Sequence, residues 1–398
     1  MYKQNRNINT ASIVMMLIGL VSCVFAFIYD THAAWTNILF NNYFFLGISL
    51  FAVFFVALQY VSEAGWSIVL KRVPEAIMTF LPYACAVMIF IVITAVLHFG
   101  GNHIYHWLED GIMTKGTSNY DRIIAGKEAY LNATFFLVRS LIYVGVWIYC
   151  ARRLRQISLD GDAEGKIGEN SYWKGLRVSG WFIVFFAITS STASWDWIMS
   201  IDTHWFSTLF GWYIFSEWAI IGFASILLIT LLLNKQGYLA DLNDSHVHDL
   251  GKFVFAFSIV WTYMWFCQFM LIWYANIPEE VTYHMERMEL ENYRFLFWFS
   301  VIINFIVPTI LLMSRDAKRN RNRLIFVCII ILIGHWINSY LLFAPGTLHD
   351  HGHLGIFEIG VFIGFLGVFI KVLTNSLSKR PLEIKHHPFL DESKHLHT

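Results

Sequence analysis

Ten apolar stretches, each long enough to cross a lipid bilayer, take up most of this 398-residue chain. They fall at about residues 10–29, 38–60, 76–99, 131–151, 178–199, 207–233, 252–275, 294–314, 324–344 and 354–376. A helix needs roughly 20 apolar residues to span the hydrocarbon core, where an unpaired backbone group is too costly to leave. The sequence therefore predicts an all-α integral membrane protein with about ten transmembrane helices. No segment between them is large enough for a water-soluble domain. Residues 1–376 read as a single polytopic membrane domain, and 377–398 as a cytoplasmic tail. The first stretch carries a weak cleavage-like site, Thr31-His32-Ala33. Its apolar run is longer than a signal peptide uses, so an uncleaved helix is expected.

Lysine and arginine set the orientation. With the N-terminus inside and ten crossings, 22 of the 28 basic residues lie on the cytoplasmic side. Five fall in outer loops (Lys115, Arg122, Lys127, Arg287 and Arg294), and Arg139 lies within a helix. This bias places both termini in the cytoplasm. Basic and acidic residues balance at 28 each, which leaves no electrostatic reason to expect a nucleic-acid partner. The five cysteines are scattered through apolar stretches with no C-x-x-C pair, so neither a disulfide framework nor a metal cluster is expected.

A faint internal echo suggests the arrangement. The fourth stretch is preceded by Glu128-x-Tyr130 and ends in basic residues, and the eighth follows Glu291-x-Tyr293 and ends likewise. Two four-helix bundles, helices 2–5 (about 38–155) and 6–9 (about 207–344), flanked by helices 1 and 10, would account for it.

Charged groups inside a membrane need partners, and each is a functional candidate. Arg139 lies about 12 Å below the outer end of the fourth helix and Glu217 about 15 Å down the sixth, counted from helix rise. At similar depth the readings are a structural ion pair between them, a snorkelling arginine, or a proton-conducting carboxylate tuned by the arginine. His335 sits near the middle of the ninth helix, with Asn338 one turn on, as a proton relay, a contact for a quinone carbonyl or a helix–helix hydrogen bond. Glu358 enters the tenth helix where it would be solvated. The segment Ser190-Ser191-Thr192-Ala193-Ser194-Trp195-Asp196-Trp197 makes the outer half of the fifth helix polar. With Asp202 and His204 it is expected either to line a wet pocket at the outer surface or simply to pack through small hydroxyls.

Other chemistries find little support. A bis-histidine haem needs two histidines at one depth, and His98 and His335 differ by roughly 15 Å. His349-x-His351-x-His353 reads as a solvated loop before a metal site, and His106-x-x-x-Asp110 lacks a second catalytic motif. There is no phosphate loop and no dinucleotide fingerprint.

Several strings occur together in order: Trp195-Asp196-Trp197-Ile198-Met199-Ser200, His204-Trp205-Phe206-Ser207-Thr208, Trp273-Tyr274-Ala275-Asn276-Ile277-Pro278-Glu279-Glu280 and Gly334-His335-Trp336-Ile337-Asn338. With Asn304-Phe305 through Pro308 and the basic run 315–323, they resemble the ActF-type subunits of bacterial alternative complex III, which are NrfD/PsrC-like membrane proteins. The resemblance implies a bacterial inner-membrane subunit of a quinol:cytochrome c or quinol:oxidase oxidoreductase, often labelled quinone-binding subunit 2. It implies no redox centre on this chain, with menaquinol or another quinol as substrate of the whole complex. Its partners would be lipids, an ActC-like quinol-binding subunit, an iron–sulfur subunit and multihaem cytochrome c subunits. The family's proposed proton route carries over to Asp196, Asp202, His204 and His335. Thr203 stands where a proline is common, and Asn338 where an aspartate is, which removes a titratable group beside His335. The competing class is a stand-alone secondary transporter or ion channel. Against it, no Gly/Pro-broken helices stand in matching positions of the two halves.

Overall fold

The computed structural model describes residues 2–163 and 169–397. It is helical, with no strand among the described residues. Ten of its helices are long and apolar enough to span a membrane, so the protein is a polytopic all-α membrane protein. They are α1 (Arg6–Tyr29), α2 (Thr31–Val61), α3 (Ile68–Val96), α4 (Ala133–Ala163), α5 (Asn170–Met199), α6 (Phe210–Lys235), α7 (Asp244–Ala275), α8 (Glu291–Leu312), α9 (Arg321–His351) and α10 (Ile356–Ser378). Several run past the apolar stretch that announces them, α4 by three turns. Hydropathy reports the membrane's thickness, whereas a helix continues for as long as its backbone ladder does.

Helices α2 to α5 form one ring of neighbours, each touching the next and α5 closing onto α2. Helices α6 to α9 form a second ring in the same order. The rings meet through α2 against α6 and α9, and α5 against α6. Burial follows from this. In α2 and α6, 78% and 83% of the apolar window is inside the protein, against 17% for α1. The central contact uses small residues opposite large ones. A Cβ on Gly47 would sit 2.4 Å from the Trp218 ring, and one on Gly222 would sit 2.1 Å from Phe51.

Helix α1 pairs with α10 outside both rings. A Cβ on Gly19 would lie 2.2 Å from the backbone of Gly364, while Gly360 faces Ser22 and Gly367 faces Met15. Lipid gives no hydrophobic drive to helix pairing, so this close backbone approach is what joins them.

One end of the molecule carries the histidine-rich connections and the other the basic clusters. At the basic end, residues 379–397 fold back across both rings. Ser393 Oγ donates to the Trp66 carbonyl at 2.8 Å and accepts from the Val69 amide at 3.2 Å. Lys394 pairs with Asp241 at 3.1 Å, Asn243 Nδ2 donates to the Leu396 carbonyl at 2.8 Å, and Asp162 accepts from the amides of Lys385 and His386. At the histidine-rich end, the acidic connection 276–293 contains a helix, Pro278–Glu289, too polar to register among the apolar stretches. Its signals were present: proline in the first turn followed by Glu279 and Glu280.

Candidate functional site

Two clusters of buried charge sit within the rings, one in each, apart from the Arg72–Glu75–Asp162 group at the basic end. In the first, Arg139 on α4 grips Asp196 on α5 with two bonds, Nε to Oδ2 at 2.8 Å and Nη2 to Oδ1 at 2.7 Å. The Tyr143 hydroxyl donates to the same carboxylate at 3.0 Å. The guanidinium also donates to the Tyr130 carbonyl at 3.0 Å and lies 4.0 Å from the ring centres of Tyr130 and Phe135. Asp196 belongs to a π-helical turn, Trp195–Met199, and is fully buried.

Two expectations are corrected here. Arg139 pairs with Asp196 and not with Glu217, and Asp196 is a buried partner, not part of a wet surface pocket. Depth counted along the backbone misplaces an arginine head by the length of its stem. This one reaches back toward Tyr130, nine residues earlier, as snorkelling side chains do.

In the second ring, Glu217 on α6 is fully buried and accepts three hydrogen bonds. Tyr43 Oη donates at 3.1 Å from α2, Asn338 Nδ2 at 2.9 Å and Ser339 Oγ at 3.4 Å from α9. His335 Nδ1 stands 3.8 Å from the same carboxylate. Neither ring nitrogen of His335 has a hydrogen-bond partner among the described residues, and its ring meets Trp261 edge-on at 4.8 Å. Asn338, which appeared from sequence to interrupt a relay, bridges Glu217 to the Tyr213 hydroxyl at 3.1 Å. Below His335, toward the basic end, Ile331, Cys328, Val327 and Leu324 are all fully buried, an apolar stretch of about 10 Å.

From Tyr213 and Asn338 the polar groups continue toward the histidine-rich end. A cavity of about 20 Å³, room for roughly one water, is lined by Tyr213, Asn338, Gln268, His284 and Arg287. Arg287 is 3% exposed. Sequence counting treated it as an ordinary outer-loop charge. Its placement follows from Pro345 inside α9: proline has no N–H, so the Leu341 carbonyl is left open one turn back. Arg287 Nε donates to that carbonyl at 3.0 Å, and Nη2 reaches Asp202 at 3.2 Å. Its face lies 3.5 Å from the Tyr283 ring, which stacks on Trp205 at 3.9 Å. Beside it, burial above all, with Arg287 adding, pushes His284 down to about 3, so the ring is neutral near pH 7. Neither of its nitrogens has a hydrogen-bond partner among the described residues. Such a ring can accept a proton at one nitrogen and release it from the other.

Past Asp202 lies an open cavity of about 190 Å³, lined by Asp202, His204, Glu286, His349 and His106 among others. Burial and the neighbouring Asp202 raise the Glu286 carboxyl, against the pull of Arg287 and His349. His204 bonds Asp121 at 2.7 Å and is half exposed. Partial burial tends to raise the Asp121 carboxyl, but the Ile124 and Ile123 amides and His204 outweigh it and hold it below the usual range.

The sequence-derived candidates are therefore only partly brought together. Asp202 and His204 share the open cavity at the histidine-rich end, Glu217 and His335 share the buried cluster, and Arg139 with Asp196 forms a separate lock. Glu358, expected in water, is buried and accepts from Asn37 Nδ2 at 2.9 Å. Tyr43, Tyr213, Gln268, His284 and Arg287 were missed. Among the described residues, no group of three or more His, Cys, Asp or Glu side chains is placed to hold a metal ion. No protein-family model matches the chain, and no curated protein matches it.

Proposed function

We propose that this chain is a membrane subunit of a quinol-oxidising respiratory complex of the alternative complex III type, and that it moves protons without carrying a redox centre. It lies in the bacterial inner membrane with both termini and the basic end in the cytoplasm. The observation that carries the proton role is the run of polar groups from the outer cavity through Arg287, His284 and Asn338 to buried Glu217. A proton entering at Glu286 or Asp202 passes the small cavity and reaches the Tyr213–Asn338–Glu217 cluster. Protonation of Glu217 frees one of its three donors and brings His335, 3.8 Å away, into the exchange. The apolar stretch beneath His335 then stops passive leak, so this is a half-channel open to the outer side. The first ring, closed by Arg139 and Asp196, supplies rigidity instead. The order and spacing of the Trp195–Ser200, His204–Thr208 and Gly334–Asn338 strings support placing the chain in this class of complex. Its partners there are an ActC-like subunit, an iron–sulfur subunit and multihaem cytochromes c, and its quinol is menaquinol or a relative.

Purification in mild detergent tests the assembly: co-elution with multihaem and iron–sulfur subunits is expected. A lone species that moves ions in liposomes would favour a secondary transporter or channel. Glu217→Gln and His335→Phe test the route. Both are expected to lower the proton movement that accompanies quinol oxidation in proteoliposomes. Unchanged quinol oxidation and proton movement in both variants would make these residues structural.

A further inference from the structure

Several cations at the basic end are held by carboxylates of the protein itself. Arg72 holds Glu75 and Asp162, Lys252 holds Asp249, Arg321 holds Asp244 and Lys394 holds Asp241. Three on α4 and α5 are not. Arg153, Lys174 and Arg177 have no ion-pair or hydrogen-bond partner among the described residues. Lys174 and Arg177 are exposed, and Arg153 is half-buried.

Helix geometry brings these three to one groove. Arg153 follows Arg139 by fourteen residues, about four turns, so it leans to the side of α4 on which Arg139 grips Asp196 of α5. On α5, Trp181 and Lys174 precede Thr192 by eleven and eighteen residues, about three and five whole turns, and Thr192 meets Tyr143 of α4. Arg177 stands about one turn from each of them. Two contacts fix the register: Gly161 packs on Ser171, and Trp147 Nε1 donates to Thr189 Oγ1 at 3.0 Å. Arg153 therefore comes level with Trp181, while Arg177 lies ~6 Å and Lys174 ~10 Å nearer the basic end.

All three sit where the apolar stretches of α4 and α5 stop, at about 151 and 178, which is headgroup level. Toward the bilayer centre the groove turns apolar. Trp181 and Tyr149 are 79% and 64% exposed at its rim, and Val184 and Ile188 continue the exposed face of α5. Aromatic rings at this height suit a headgroup boundary. Three cations without carboxylates need a counter-ion, and at this depth a bilayer supplies one in the phosphodiester of a lipid. A guanidinium meets two phosphate oxygens at once. A zwitterionic lipid carries its own cation to the same place, so the groove favours a headgroup of net negative charge.

We propose that the groove between α4 and α5 is a binding site for an anionic phospholipid. Its phosphate lies among Arg153, Arg177 and Lys174, and one acyl chain runs along Trp181, Val184 and Ile188. The site needs neither a proton route nor a quinol, so it stands apart from the function proposed above.

The test is native mass spectrometry of the full chain in a neutral detergent, titrated with phosphatidylglycerol or with phosphatidylcholine of identical chains. The first phosphatidylglycerol is expected to bind about tenfold more tightly than the first phosphatidylcholine. Arg153→Gln and Arg177→Gln should each weaken it about fivefold, the worth of one cation near an anionic headgroup, and leave phosphatidylcholine unchanged. Trp181→Ala should weaken both lipids. Arg323→Gln, which removes an exposed cation from α9 instead, should change neither. Equal affinity for the two lipids overturns the proposal and leaves an acidic protein partner as the occupant. An equal loss in Arg323→Gln also overturns it, because the whole basic end would then be read rather than this groove. Displacement by inorganic phosphate at the lipid's own concentration would show that no chain is held, and overturns the lipid assignment.

Discussion

The Arg139–Asp196 pair gives the sharpest energetic test. Both side chains are almost wholly removed from solvent, at 8% and 0% exposure. Arg139→Met strands the carboxylate with the Tyr143 hydroxyl as its remaining side-chain donor. Breaking a buried pair from one side costs about 3–5 kcal/mol, and that surviving bond places this case near 3. Asp196→Asn is milder, about 1–3 kcal/mol, since the amide oxygen still accepts and the Tyr130 carbonyl and two rings still hold the guanidinium. With both charges gone, the double variant should lose only about 1–2 kcal/mol, because desolvation of each ion disappears with it. The two substitutions are thus coupled by about 2–5 kcal/mol. Reversible detergent unfolding gives the free energies. Labelling of the buried Cys85, Cys150 and Cys328 with a fluorogenic maleimide follows the same loss on heating. If the two single losses simply add in the double variant, the charges stabilise independently and the lock described here does not exist.

Three further outcomes follow from particular contacts. Pro345→Ala restores an N–H to the Leu341 carbonyl and competes with Arg287. Amide exchange across Pro278–Glu289 should then quicken, while that of α6 stays unchanged. His387 is held at about 3 by burial first and by Lys71 and Arg72 next, against an ordinary value of 6.5. A base depressed in the docked state gives its full contribution above about 6.5 and loses it as pH falls, by up to about 2 kcal/mol at pH 5. Relative to an unstructured peptide cleaved at the same pH, trypsin should therefore nick the tail at Lys385 and Lys394 faster at pH 5 than at pH 7, and His387→Phe should abolish the difference. Gly334→Ala brings a Cβ to 2.2 Å from Asn304 Oδ1, and it should lower the unfolding midpoint more than Gly180→Ala, where the added carbon meets open space.

The architecture was legible because a bilayer imposes one requirement on every crossing, and apolar length answers it directly. The two rings were visible only as a weak echo, since a shared environment also makes unrelated helices look alike. The site was harder. Glu217 and His335 stood out as isolated polar letters in apolar runs, and they do meet. Arg139 and Glu217 looked like natural partners on a depth scale, yet a long side chain and a π-turn delivered Arg139 to Asp196 instead. Arg287 was hidden for the opposite reason: it sits in a polar segment, where a charge draws no notice. Its importance depends on Pro345, 58 residues away in sequence, a pairing that only the fold supplies. Asn338 was misjudged because titratability was weighed and bridging was not. An amide can accept from Tyr213 and donate to Glu217 at once, which a carboxylate cannot.

The Gly19–Gly364 contact has a consequence for how the protein is made. Helix α1 is made eight spans before its main neighbour, α10, so it waits in the bilayer with its small-residue stripe uncovered while α2 to α9 are inserted. A chain stopped after α9 would hold two finished rings and one orphaned helix, free to seek any other stripe of glycines. Insertion of α10, more than any event within the rings, is what seals this edge of the protein against the wrong company.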